Sequence, residues 1–495
     1  QAWDGVPSDS LETNRTFNPT GMYVDEAGNV KYYDNETDNY QQDHYQLHFS
    51  HLLNPNMVIN AAAHYTYGRG YYEQYKEDQK LKDYELSPVS MGDTLISRSD
   101  LIRRKYLKNH YYGTTASLNY DNRSNLKTNL GGSFHIYDGL HFGEVIWARY
   151  AGNSEVNHRY YENTGFKVDY NYYMKINYSP LERLHLFADL QMRHIIYEFE
   201  GPAFVNEELK ILDQTSYFNF FNPKGGFIFE INPMQKVYTY VGVGNREPVR
   251  DDFTESSPES RPGREKMINY EAGYQFASSG ARASLNFYFM DYYDQLVLTG
   301  EINDVGGYTR TNTPRSYRAG IEMEAGFIIT PKIQWNGNLS LSRNKIKEFT
   351  EYSDVYDANY DWTGSEANTY KNTNISFSPS IIAASQFVFA PIKQLQIELM
   401  SKYVGRQYID NTSNKDRSLN PYFLNDIKLG YNFSLPFAKS IEISVLINNI
   451  LDEEYISNGW IYKAKVENQS DFLVMDDGYF PQAGRNFLAG IKFRF

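Results

Sequence analysis

Apolar and polar side chains alternate along Ile441-Glu442-Ile443-Ser444-Val445-Leu446-Ile447-Asn448, with Leu446 as the one exception. Successive residues of a β-strand face opposite sides, so this stretch has one apolar and one polar face. The same alternation recurs at residues 282–289, 333–342 and 394–399. Each run belongs to a segment long enough for the roughly 9 to 11 residues that a tilted strand needs to cross hydrocarbon. The pattern predicts strands with lipid on one side and water on the other.

The connections between these strands alternate between short turns and long polar loops. Short turns are predicted at residues 54–56, 121–125, 179–183, 232–235, 278–280 and 436–439, and at Pro331 and Pro391. Long loops are predicted at residues 68–108, 138–164, 199–216, 247–264, 294–314, 347–372, 407–419 and 449–478. This asymmetry is typical of bacterial outer-membrane barrels. We therefore predict an all-β transmembrane antiparallel barrel, because the alternative of a soluble sandwich or propeller does not normally place every long loop at one end.

Composition narrows the function classes. The 495 residues include no cysteine, which excludes disulfide frameworks, thiolate metal sites and cysteine nucleophiles. The formal net charge of −13 argues against a nucleic-acid partner. Motifs of nucleotide-binding loops, zinc proteases and serine hydrolases are absent from the sequence. The sequence therefore predicts a protein that is not an enzyme and has no cofactor.

Histidine and acidic pairs offer weak metal candidates. In a strand, His44 and His48 share a face while His51 lies on the other, so the three cannot converge without a bend. The pairs at residues 251–252 and 476–477 lack the alternating ligand spacing of a calcium loop. We therefore predict no metal site.

The strand count predicts an incomplete barrel. About seventeen strands follow residue 41, and residues 1–40 are predicted to form an extracellular loop before the barrel at 41–495. Bacterial single-chain barrels have an even number of strands. An open edge in lipid leaves unpaired backbone groups, so closure requires further strands. We expect an N-terminal part that is absent from this chain.

The C-terminal segment carries a specific motif. Its residues are Asn448, Asn449, Asp452 and Tyr455, followed by Gly484, Arg485 and the terminal Phe495. This set resembles the closing signature of TonB-dependent outer-membrane receptors, and residues 245–252 and 265–274 resemble the mid-barrel stretch of that family. Residues 1–7 and 147–150 resemble iron-complex uptake receptors of Bacteroidetes-type bacteria. The segment 245–248 departs from the Phe-Arg-Ala-Pro box of many haem receptors.

The resemblance implies a location and a set of partners. It implies a 22-stranded barrel in the bacterial outer membrane, with a plug and about five strands missing from this chain. The plug would contact the TonB complex, and Phe495 would be read by the barrel-assembly machinery. Lipopolysaccharide and lipid would surround the wall, and a surface lipoprotein is a further candidate partner.

Ligand capture is assigned to aromatic and cationic side chains of the external loops. Aromatic faces bury a bulky chelate, and arginine binds its carboxylates or phosphates. The candidates are Arg69, Tyr71, Tyr72, Trp147, Arg149, Tyr160, Tyr161, Tyr308, Arg310, Trp460 and Tyr462. The alternative is that these aromatic residues form the girdle at the outer membrane interface.

The functional hypothesis is active import of a scarce metal chelate, with a ferric siderophore as the favoured cargo. One alternative changes the cargo to haem, cobalamin or an oligosaccharide handled with a surface lipoprotein. Another is a passive porin-like or adhesion barrel without an energised gate. A lipase or protease barrel is the weakest option, because we find no catalytic cluster in the sequence.

Overall fold

One large antiparallel sheet accounts for most of the chain. The computed structural model describes residues 4–25, 27–152, 154–205, 208–254, 256, 261–302, 308–467 and 473–495, with the backbone alone at 208 and 308. The first strands are β1 (Met22–Val24), β2 (Val30–Tyr32), β3 (Asp38–Asn54), β4 (Met57–Lys80), β5 (Val89–Met91), β6 (Thr94–Ile96), β7 (Arg98–Asp121), β8 (Leu126–Ala148), β9 (His158–Leu181), β10 (Leu184–Val205), β11 (Glu208–Phe221), β12 (Lys224–Asn232) and β13 (Gln235–Arg246).

The second half continues in the same way. Its strands are β14 (Glu265–Ala277), β15 (Ala281–Ile302), β16 (Tyr308–Thr330), β17 (Ile333–Tyr356), β18 (Trp362–Asn374), β19 (Ile381–Ile392), β20 (Leu395–Val404), β21 (Gln407–Tyr408), β22 (Ser418–Leu419), β23 (Tyr422–Leu435), β24 (Ala438–Asn448), β25 (Ile456–Val466), β26 (Leu473–Pro481) and β27 (Asn486–Arg494). Short helical turns occur at Ser8–Ser10, Leu81–Tyr84 and Lys415–Arg417, and α1 covers Arg250–Thr254. Among the described residues, no helix combines the length and hydropathy that a membrane span needs.

Neighbours in sequence are neighbours in the sheet. The antiparallel order is β3, β4, β7, β8, β9 and β10, then β12 to β17, and then β19, β20, β23, β24 and β27. At its outer end β10 pairs with β11, and β17 pairs in the same way with β18. The prediction of an all-β antiparallel architecture is confirmed.

Alternation along each strand forms apolar rows across the wall. In β24, Ile443 lies opposite Tyr431 on one side and opposite Ile491 on the other. These three side chains are 39%, 43% and 64% exposed. A continuous apolar surface of this kind suits contact with acyl chains, whereas the opposite face of the strands is polar.

The outer connections differ from the prediction. Short turns fall where predicted, as between β7 and β8. However, strand extends into most of the predicted long loops: β4 continues to Lys80 and β7 begins at Arg98 within the predicted loop 68–108. The predicted loop 247–264 is an exception, since its described residues contain α1 and no strand. A polar, tyrosine-rich hairpin outside the membrane is exposed to water on both faces, so its sequence lacks the apolar row that marks a membrane-crossing strand.

The sheet curves round without closing. Among the described residues, no register joins β3 to β27, and both strands are exposed along nearly their whole length. At the outer end of the sheet, the described residues of segment 4–37 span this gap. Val6 forms an antiparallel bridge with Tyr479 of β26, and Tyr23 packs on Tyr75 of β4 at 4.7 Å. We call residues 4–37 the bridging segment.

Candidate functional site

The connection between β13 and β14 folds inward and carries α1 against the wall. Phe253 of α1 is buried and packs on Phe199 and Tyr197 of β10, with ring centroids 5.4 and 6.0 Å apart. Burial of one aromatic side chain contributes about 2 kcal/mol. This apolar contact holds α1 against the inner surface of the sheet.

A network of ion pairs fixes the same connection. The carboxylate of Glu247 accepts from Lys167 Nζ at 2.7 Å and from Arg193 at 2.9 Å. Arg193 also binds Asp169 at 2.6 Å, so two strands of the wall share one network. The side chain of Glu247 is 10% exposed. The Glu247 network therefore anchors the chain three residues before α1.

Next to α1 lies a cavity of about 600 Å³, which we call the tyrosine pocket. Its side-chain lining is aromatic and charged: Asp38, Tyr40, Tyr71, Tyr72, Lys105, Tyr106, Leu107, His141, Tyr161, Asn163, Ala203, Phe204, Val205, Arg250, Asp251 and Thr254. Strands from β3 to β10 supply one side, and α1 supplies the other. The aromatic faces can enclose a bulky ligand, and the cations can bind its oxygens.

Three of the eleven predicted ligand residues meet at this pocket, namely Tyr71, Tyr72 and Tyr161. Tyr160 is only 1% exposed and packs against Phe204 at 5.2 Å, so it supports the wall and does not offer a contact surface. The prediction of Tyr160 as a ligand contact therefore finds no support in the geometry.

Other predicted residues lie away from the pocket. Arg69 pairs with Asp43 at 2.7 Å, and Arg149 pairs with Asp100 at 2.9 Å. Trp147 is 45% exposed on the outer hairpin of β8. These side chains belong to the surface of the outer hairpins.

The remaining predicted residues occupy separate places. Arg310 pairs with Asp252 of α1 at 3.4 Å, next to the pocket. Trp460 is buried and donates from its indole nitrogen to the backbone of the bridging segment at 2.7 Å. The hydroxyl of Tyr462 donates to a carboxylate of β17 at 2.8 Å. The side chain of Tyr308 lies outside the described residues.

Sequence reasoning missed the polar residues of the pocket. Lys105, His141 and Asn163 come from three different strands, and no recognised binding motif surrounds any of them. Arg250 lies within the stretch 245–252 that carries the family resemblance, which was the available signal. Arg250 reaches the pocket only because α1 packs against the wall.

The C-terminal motif builds a rigid turn. The side chain of Asn449 bonds both the amide and the carbonyl of Glu453 at 2.9 Å. Asp452 accepts from the amide of Arg485 at 2.7 Å. A Cβ at Gly484 would approach Asp452 Oδ1 to 2.8 Å, so a larger residue there would displace the Asp452 carboxylate. These residues join the end of β24 to the start of β27.

The other motif residues also stabilise the contact of the last strand with its neighbours. Asn448 donates to Asn486 at 2.8 Å across the β24–β27 pair. The rings of Tyr455 and Tyr422 pack 4.6 Å apart. Phe495 is 78% exposed, as a side chain at the lipid surface would be. We interpret the motif as structural, since it fixes the last strand against the wall.

The histidines noted in the sequence stay apart. His44 bonds Thr66 at 2.9 Å, and His51 stacks on Phe49 with centroids 6.1 Å apart. Within the part of the chain that the structure describes, no group of three or more His, Cys, Asp or Glu residues is arranged to hold a metal ion.

A second polar cluster lies among the outer hairpins. Glu351 of β17 contacts Lys463 of β25 and accepts from Arg417 at 3.1 Å. Arg417 also binds Asp410 at 2.8 Å. The side chains of Glu351 and Lys463 are 9% and 6% exposed. This outer ion cluster joins β17, β25 and the loop 405–421, and β17 pairs with β25 directly over residues 354–356.

Glu301, next to the tip of the β15–β16 hairpin and therefore outside the membrane, faces the outer ion cluster. Burial first, and then the neighbouring carboxylates of Asp354, Glu351 and Asp410, raise the pKa of Glu301 to about 7, although Lys463 lowers it in part. The folded protein therefore holds a proton on Glu301 that the unfolded chain releases near its ordinary pKa of 4.5.

This proton makes stability depend on pH. Between pH about 4.5 and about 7 the folded state binds more protons, so the free energy of unfolding falls as pH rises and levels off above 7. We expect Glu301→Gln to remove most of this decline, because glutamine stays neutral. Thermal unfolding in detergent, followed by circular dichroism from pH 4 to 8, measures the effect. Parallel pH profiles for the variant and the original protein would contradict the assignment.

Comparisons with known proteins agree with the fold. Residues 2–450 match the family model described as TonB dependent receptor-like, beta-barrel. The Pesticin receptor of Yersinia enterocolitica is 24% identical over 230 residues, which are 46% of this chain and 30% of that receptor. The match thus spans less than a third of this curated relative.

Two solved structures show the same architecture. The ferric-catecholate import receptor Fiu of E. coli K12 has a TM-score of 0.64 at 14% identity, over 99% of this chain and 70% of its own. The siderophore receptor PiuA of Acinetobacter baumannii has a TM-score of 0.65 at 13% identity, over 99% and 69%. At these identities the likeness concerns the fold.

Proposed function

Because this chain belongs to the family of TonB-dependent receptor-like β-barrels, we propose that it imports a scarce metal chelate, with a ferric siderophore as the favoured cargo. Proteins of this family are receptors and transporters of the bacterial outer membrane, and are not enzymes. The observation that carries the proposal is the tyrosine pocket, which combines aromatic walls with the cations Lys105 and Arg250 on the inner surface of the sheet. Two proteins of similar fold, the ferric-catecholate import receptor Fiu and the siderophore receptor PiuA, support the same cargo class.

The pocket has the properties that capture of a chelate requires. Ligand cavities of about 300 to 1,000 Å³ suit small molecules, and the tyrosine pocket lies within this range. The rings of Tyr71 and Tyr106 approach to 5.1 Å and form an aromatic corner at its edge. The ligand would be held by ring faces and oriented by a small number of charges.

Release of the ligand needs an energy source beyond the described strands. Receptors of this family work with TonB. We propose that further strands fill the gap between β3 and β27, since an exposed strand edge is not tolerated in lipid. Both β11 and β12 pair with β10, and both β18 and β19 pair with β17, so each of these two sets counts as one strand of the wall. On that count the sheet has about seventeen strands. A family barrel of roughly 22 strands encloses a plugged lumen, and TonB would act on that plug.

Uptake in a strain that lacks the gene tests the proposal. Cells that carry the full-length gene should accumulate radiolabelled iron from at least one ferric siderophore, and deletion of TonB should abolish the accumulation. Haem and labelled cobalamin serve as competing cargoes. Equal entry of all three cargoes, or entry that persists without TonB, would contradict the proposal and favour a passive barrel.

A further inference from the structure

Two buried nitrogen atoms at the tyrosine pocket lack hydrogen-bond partners. They are Nε of Arg250 and Nε2 of His141, both with almost no accessible surface. The large majority of buried polar side-chain atoms in folded proteins are hydrogen-bonded, so two exceptions in one cavity require an explanation. Both residues line the pocket, so a small shift of their side chains on ligand entry would let a ligand atom complete their bonding.

The guanidinium of Arg250 is held in place but not neutralised. Its Nη2 donates to Asn163 Oδ1 at 2.7 Å. Among the described residues, no carboxylate lies within ion-pairing distance of Arg250. Asn163 is 2% exposed, so the position of the guanidinium is fixed by a buried amide and its charge remains available.

The charges of the pocket are sorted by depth. Lys105, which is 8% exposed, lies near the ring of Phe204 at 5.3 Å. The carboxylates of Asp38 and Asp251 are exposed at the mouth. A charge interaction is stronger in a less solvated interior than at the surface. The buried part of the pocket therefore favours an anionic group of the ligand. Water screens the repulsion between this group and the exposed carboxylates at the mouth.

We propose that the tyrosine pocket selects net-anionic chelates over neutral ones, with an anionic oxygen of the ligand accepting hydrogen bonds from Arg250 and His141. Carboxylate and catecholate chelates share this chemistry, whereas a tris-hydroxamate complex of Fe³⁺ is neutral. The inference rests on the proposed function and adds the charge class of the cargo. It makes Arg250 a residue that determines specificity.

Binding of three probes to the purified full-length receptor tests this inference. The probes are ferric citrate, a ferric tris-catecholate and a neutral ferric tris-hydroxamate, and Kd is measured by tryptophan fluorescence quenching. At least one anionic probe should bind ten times more tightly than the neutral one. Arg250→Gln should weaken binding of that probe roughly 10- to 100-fold, as expected for loss of a charge-assisted hydrogen bond, without changing the neutral probe.

Matched variants separate specificity from folding. Arg250→Lys retains the charge and should recover part of the affinity, and His141→Ala should weaken the same anionic probe severalfold. Arg98→Gln, an exposed arginine of an outer hairpin, is the control. Heat-modifiable electrophoretic mobility establishes that each barrel is folded.

The outcomes distinguish the inference from the function. Equal affinity for neutral and anionic probes, or full affinity in a folded Arg250→Gln variant, overturns the inference and leaves chelate import standing. If the folded receptor binds none of the three probes and cells import none of them, the proposed function fails together with the inference.

Discussion

Replacement of Glu247 by alanine is expected to abolish high-affinity capture of the ligand and to destabilise the protein by about 3 kcal/mol. The variant leaves Lys167 without its 2.7 Å partner and leaves Arg193 with Asp169 alone. Breaking a buried ion pair typically costs 3–5 kcal/mol, and partial exposure of the cations places this case at the lower end. The inward connection then loses its anchor, and Arg250 loses its fixed position at the pocket.

Thermal unfolding and ligand titration of the same preparation measure this effect. Glu200→Ala is the control, because Glu200 is an exposed carboxylate on the adjacent strand β10. The control should retain the original melting temperature and affinity. A Glu247→Ala protein that matches the original in both quantities would show that the ion pairs do not position the connection.

The second large effect is expected at Glu351. Glu351→Ala removes the carboxylate shared by Lys463 and Arg417, and it takes from the buried ammonium group of Lys463 one of its compensating charges. We expect a loss of about 3 to 5 kcal/mol, concentrated in the outer hairpins. The parallel pairing of residues 354–356 with 464–466 should then loosen, while the bonds of Tyr462 to Asp354 and Tyr356 keep the two strands in contact.

Hydrogen–deuterium exchange locates this effect. Amides of residues 354–356 and 464–466 should exchange much faster in Glu351→Ala, whereas the membrane part of β17 should not change. Glu348→Ala tests an exposed carboxylate on the same strand. Glu351→Met combined with Lys463→Met should restore protection, because apolar side chains can replace a buried pair at little cost. Unchanged exchange in Glu351→Ala would contradict a structural role of the cluster.

The sequence alone was sufficient to predict the wall of the barrel. The two-residue period at 441–448 specifies which side chains face outward, and the short turns appear where Gly, Pro, Asn and Asp interrupt it. The motif at 448–455 was sufficient to indicate the family. These features are local, so each can be recognised without knowledge of its neighbours in space.

The site could be predicted only in part, because it depends on residues that are distant in the sequence. Tyr71, Tyr72 and Tyr161 were predicted because external aromatic residues suit ligand capture, and all three line the tyrosine pocket. Residues such as His141 and Arg250 come from separate elements, and only the folded chain brings them together. The extent of the outer hairpins was also missed, because strands with water on both faces carry no apolar row.

The bridging segment has a mechanical consequence. It is fastened to β26 through Val6 and to β4 through Tyr33, whose hydroxyl bonds the buried Glu73. If β3 and β27 moved apart at the outer rim, both attachments would have to break. A force on β4 at the outer rim is therefore transmitted to β26, so we expect the bridging segment to keep the two sides of the gap at a fixed distance while the proposed further strands occupy it.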